Sequence, residues 1–103
     1  MTDLITVYVS IGNSDDKLTQ ARWSVFYEQV TFACRNLARR VYGDWLSPPS
    51  SQFQNACIAF GIAGGDIAPL KKELRDLAAL YGQDSIAWAE ARTEFIEPGW
   101  SAA

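Results

Sequence analysis

Asn55-Ala56-Cys57-Ile58-Ala59-Phe60-Gly61-Ile62-Ala63 is an apolar run that passes, without a linker, into Gly64-Gly65-Asp66 and then into a helical period. Within the run Ile58, Phe60 and Ile62 share one face and Cys57, Ala59 and Gly61 the other, the two-residue period of a strand. The period then changes to three and four through Ile67, Leu70, Leu74, Leu77 and Tyr81, which predicts an amphipathic helix. Asp66 suits its N-cap, Pro69 is tolerated in its first turn, and Gly82 stops it. Its other face, Lys71, Lys72, Glu73, Arg75 and Asp76, is solvated. Residues 85–89 alternate again, with Ile86 and Trp88 on one side and Ser85, Ala87 and Ala89 on the other. The stretch is one β-α-β half of a domain.

The other half lies upstream. In residues 4–11, Ile5, Val7, Val9 and Ile11 share a face, and Thr6, Tyr8 and Ser10 lie opposite. Gly12-Asn13-Ser14-Asp15-Asp16 ends that strand with turn formers. A helix is expected over 19–42, its stripe formed by Trp23, Phe26, Val30, Ala33, Cys34, Leu37 and Val41, with Gly43 as its stop. Trp45-Leu46 reads as a short strand, Pro48-Pro49-Ser50-Ser51 as a loop, and Thr93–Ile96 as a short fifth strand. The order β-α-β-β-α-β predicts an α+β ferredoxin-like sandwich with both helices on one face of an antiparallel sheet. Residues 1–98 are expected to form this single domain, with 99–103 as a loose tail.

Composition excludes several chemistries. The chain has 103 residues, a formal net charge of -3 and no histidine. Without histidine there is no Ser-His or Cys-His dyad and no imidazole ligand for a metal. The negative balance counts against general nucleic-acid affinity, which depends on neutralising phosphates. Ala56–Ala63 is far too short to span a bilayer, and Met1-Thr2-Asp3-Leu4 does not open a secretory signal, so a cytoplasmic protein is expected. Cys34 and Cys57 fall in apolar segments and read as reduced core residues.

Three surfaces are candidate sites. The loops at one end of the sheet gather Asn13, Asp15, Asp16, Gln52, Asn55 and Asp84, whose carboxylates are of the kind that holds a hard cation, although turns and helix starts select the same residue types. Arg35, Arg39 and Arg40 form a basic cluster near the first helix's end, where cations also suit the helix dipole. The third is the sheet face turned away from the helices: Tyr8, Ala59, Gly61, Ala87 and Ala89, flat and without charge. An open antiparallel face normally carries polar side chains. Tyr8 occupies the place of a stacking aromatic in an RNA-recognition module. The third strand offers only Cys57, Ala59 and Gly61 where such a module needs further rings.

The segments Ile11-Gly12-Asn13-Ser14-Asp15-Asp16-Lys17-Leu18-Thr19-Gln20, Gln54-Asn55-Ala56-Cys57 and Tyr81-Gly82-Gln83-Asp84-Ser85-Ile86-Ala87 resemble recurring pieces of small proteins from actinobacteria and their mobile elements. The resemblance spans most of the chain and implies a phage- or plasmid-borne origin. It carries over no functional residue.

These features point to a non-enzymatic interaction domain, with no catalytic residue, metal or cofactor, that binds a protein partner or a second copy of itself. An alternative is an inhibitor or immunity-type protein of a mobile element, using acidic surface to occupy the phosphate channel of a host defence nuclease. A small enzyme working through the loop carboxylates is the third reading.

Overall fold

A computed structural model describes residues 3–13, 17–48 and 50–102. Its elements are strand β1 (Leu4–Gly12), helix α1 (Gln20–Leu37), strands β2 (Arg40–Leu46) and β3 (Asn55–Ala63), helix α2 (Ile67–Leu80) and strand β4 (Ala87–Ala91). The sheet is antiparallel with strand order β2-β3-β1-β4, and both helices contribute to one core on one of its faces. This is the ferredoxin-like arrangement predicted from the sequence.

The core is built from the residues that period predicts. Val7, Val9, Ile58, Phe60 and Ile62 point from the sheet into Phe26, Val30 and Cys34 of α1 and Leu70 and Leu74 of α2, all buried. Each of these aliphatic or phenyl side chains stabilises the fold by about 1.5–3 kcal/mol. Phe26 packs on Tyr81 with ring centroids 5.0 Å apart, and Phe60 meets Trp88 edge-on at 6.3 Å. Thr19 caps α1, its hydroxyl accepting from the Arg22 amide at 3.2 Å. Gly82 closes α2 in the left-handed region at φ 64°, while the Gln83 amide donates to the Ala78 carbonyl.

Three expectations need correcting. The first helix ends at Leu37, not Tyr42, and β2 begins at Arg40. The turn of direction is made by Ala38, which is extended (ψ 139°) while its amide still closes on the Cys34 carbonyl. The Arg39 amide then donates to the Gly61 carbonyl, and pairing with β3 captures the chain from Arg40 onward. Val41 is therefore a strand residue and Gly43 lies inside the strand rather than stopping a helix. Residues 92–98 form no fifth strand. Asp66 stands at the N-cap of α2 but makes no side-chain cap bond. A single 3-10 turn, Gly64–Asp66, leads into the helix, and the Asp66 carboxylate pairs with Arg39 at 3.7 Å.

Candidate interaction face

Strand register divides the free face into rows. One row is Trp45, Cys57, Ser10 and Ala87; the next is Gly43, Ala59, Tyr8 and Ala89; the third is Arg40, Gly61, Thr6 and Ala91. The face is not uniformly flat. On the β2 side it carries Tyr42 and Trp45, which are 51% and 54% exposed, and Tyr8 on β1 is 40% exposed. On the β4 side Ala87, Ala89 and Ala91 are all exposed and project only methyl groups. The surface is a step, high along β2 and low along β4.

The small residues in the middle already have neighbours from this chain. A Cβ at Gly61 would stand 3.1 Å from Leu4 Cδ1 and 3.2 Å from the Tyr42 hydroxyl. The close approach that glycine permits in mid-strand is thus made by Leu4 and Tyr42. The Trp45 ring lies over Gly43, with atoms 3.4 and 3.5 Å from where a Cβ would be. Ala59 is 1% exposed. Of the five residues expected on this face, Tyr8, Ala87 and Ala89 are available to a partner, while Ala59 and Gly61 are its covered floor.

Leu4, Tyr42 and Trp45 are the face residues that sequence reasoning missed. A bulge between Val41 and Gly43 breaks the alternation of β2, so its outward residues do not keep a two-residue period. The aromatics in and just after the bulge, Tyr42 and Trp45, were the available signal.

The tail does not cover the step. Thr93 touches Thr6 hydroxyl to hydroxyl at 3.3 Å, but Phe95, Ile96 and Trp100 are all more than half exposed. The tail has a turn of its own: the Trp100 amide donates to the Glu97 carbonyl and its indole N–H to Glu94.

At the loop end Asn13, Asn55 and Asp84 each bond to neighbours outside the expected set rather than to one another. Asn13 is buried; its Nδ2 donates to the Leu18 carbonyl at 2.9 Å and to Gln54 Oε1 at 2.8 Å, and its Oδ1 accepts from the Leu18 amide. Gln54 in turn donates to Gln20. Lys17 pairs with Asp84 at 3.3 Å, the Asn55 amide donates to Ser47 Oγ, and Gln52 is exposed. Asp15 and Asp16 lie outside the described residues. Among the described residues no group of three or more acidic or thiol side chains could hold a metal ion.

The three arginines do not form a cluster. Arg35 donates to Asp44 at 2.9 Å, Arg39 pairs with Asp66, and Arg40 belongs to the free face at a corner of the sheet. Asp44 also accepts from the Tyr27 hydroxyl at 2.6 Å, so one carboxylate ties α1 to β2 through two donors. The Tyr27 bond and the Arg35 guanidinium hold Asp44 below the usual carboxylate range. Burial and the Asp44 bond push the Tyr27 phenol up to about 12. Cys34 is buried as expected and its thiol is pushed up to about 12, chiefly by burial, whereas Cys57, expected in the core, is only half-buried because its strand position turns it to the free face.

No helix among the described residues is long and apolar enough to cross a membrane. No family model and no curated protein matches the chain. Among solved structures it is similar to the C-terminal domain of the MgtC protein from Mycobacterium tuberculosis. The sequences are 11% identical, the match covers 87% of this chain and 88% of that one, and the TM-score is 0.56. At that identity the likeness shows the shared α+β fold alone.

Proposed function

We propose that the chain is a non-enzymatic, cytoplasmic protein-interaction domain that binds through the free face of its sheet. The observation that carries this reading is the exposure of Tyr8, Tyr42 and Trp45 beside Ala87, Ala89 and Ala91, with Arg40 the only charged side chain in the three rows. Exposed aromatic side chains on an uncharged surface lose little on desolvation and supply the anchors that protein interfaces use. The loop end offers less, since Asn13 is buried with its side chain fully bonded and Asp84 pairs with Lys17.

Two arginine substitutions test it. Ala89→Arg puts a cation on the low side of the step, while Phe32→Arg alters a residue of α1 that is 70% exposed. Proteins recovered from the native host by the wild type should be lost with Ala89→Arg and kept with Phe32→Arg. Retention with Ala89→Arg, or loss with Phe32→Arg, would remove the sheet face as the binding surface.

A further inference from the structure

We infer that the occupant of this face is a second copy of the chain, set face to face about a two-fold axis parallel to the strands. The inference rests on the face-docking reading above and adds the identity and orientation of the partner. A step-shaped surface fits itself only when turned about an axis parallel to its edge. With strand order β2-β3-β1-β4, that rotation lays the β2 side of each copy over the β4 side of the other. It preserves position along the strands, so residues of one row meet residues of the same row. Trp45 then rests on Ala87 of the second copy and, with its ring lying over Gly43, on Ala89 in the next row, a large side chain on exposed methyl groups. An axis across the strands would instead stack β2 on β2, ridge against ridge, and leave the alanines of β4 facing each other across a gap.

Charge favours the same axis. Two chains of net charge -3 repel, and the rows that would meet are uncharged except at Arg40. Arg40 and Ala91 stand at opposite ends of one row. The segment that leaves the sheet after Ala91 carries Arg92, Glu94 and Glu97, two carboxylates to one guanidinium. The rotation therefore brings a net acidic segment of each copy towards Arg40 of the other.

The area sets the strength. Four strands about 4.8 Å apart and some 15–20 Å long give a footprint of roughly 350 Å² per copy, short of the ~800 Å² per partner that stable complexes bury. Phe95 and Ile96, exposed on the departing segment, add apolar surface at the rim. The expected dimer is therefore weak, with a dissociation constant in the micromolar range or above.

Sedimentation equilibrium and isotope-filtered NMR on the full chain test this. Wild-type mass should double across the micromolar-to-millimolar range, and Ala87→Arg, at an exposed position, should stay monomeric and folded by circular dichroism. In a mixture of labelled and unlabelled wild type, intermolecular NOEs should join the Trp45 indole protons to the Ala87 and Ala89 methyls. A wild type that stays monomeric at millimolar concentration overturns the second copy, leaving face docking to be judged by the Ala89→Arg recovery. A dimer with Trp45-to-Trp45 NOEs overturns the axis. A dimer untouched by Ala87→Arg, with NOEs from the helices, overturns both the second copy on this face and the face-docking reading.

Discussion

Asn13 and Leu18 close a reciprocal pair of hydrogen bonds, side-chain Nδ2 to carbonyl at 2.9 Å and amide to Oδ1 at 3.0 Å, that fixes the chain between β1 and α1. The same Nδ2 reaches Gln54 Oε1, and the Asn13 amide donates to the Gln54 carbonyl. One buried side chain therefore ties the β1–α1 and β2–β3 connections together.

Asn13→Asp keeps the shape and removes the donor, leaving two acceptors against a buried carboxylate. It should lower stability by about 2–4 kcal/mol in urea unfolding, since each buried group left unpaired costs ~1–3 kcal/mol. A loss of a few tenths would show that this residue does not hold the loop end.

Tyr27 and Asp44 make stability depend on pH at both extremes. Asp44 titrates below its ordinary value, so its contribution is present above the carboxylate range and is lost as pH falls through the folded-state pKa. Tyr27 titrates above its ordinary value, so its contribution is present below pH 10 and is lost between pH 10 and about 12. Tyr27→Phe should cost about 1–2 kcal/mol at neutral pH. It should also flatten the alkaline fall in Tm above pH 10, while the loss that comes from Cys34, whose ordinary value is 9.0, remains. An unchanged alkaline limb would count against the Tyr27–Asp44 bond.

The two cysteines should react at different rates. Cys34 is fully buried with its thiol held neutral, so native alkylation is slow and becomes fast on denaturation. Cys57 is half-buried in the row that contains Trp45, so it should label faster than Cys34, and more slowly as protein concentration rises. Equal rates, or a Cys57 rate independent of concentration, would contradict this.

Leu74 is 4% exposed at the middle of the α2 stripe. Leu74→Ala should cost roughly 2–5 kcal/mol in a urea melt. A change of only a few tenths would place the stripe against solvent.

The fold was legible wherever one period dominated a segment. β1 and α2 each place their buried side chains on a single stripe, β3 keeps its large ones, Ile58, Phe60 and Ile62, on one face, and the structure keeps nearly the bounds read from the sequence. The junction at Leu37 was not legible, because Val41 stands four residues on and extends the helical stripe by coincidence. Pairing of β2 with β3 overrides that local pattern, and the bulge hides the strand period of β2. The free face was located correctly from alternation alone. Its relief was not, because the height of β2 and the covering of Gly61 by Leu4 and Tyr42 depend on neighbours distant in sequence. The bonds between Asn13 and Gln54 likewise join residues 41 positions apart, beyond any local pattern.

A dilution series monitored by amide and indole NMR shifts tests most directly whether the sheet face is the binding surface. From millimolar to micromolar concentration, the shifts of Ala87, Ala89, Ala91 and the Trp45 indole should move together along one binding curve, while those of Phe32 and the rest of the outer helix layer stay fixed. Movement confined to the helix layer, or none at any concentration, would contradict a sheet face occupied by a second copy.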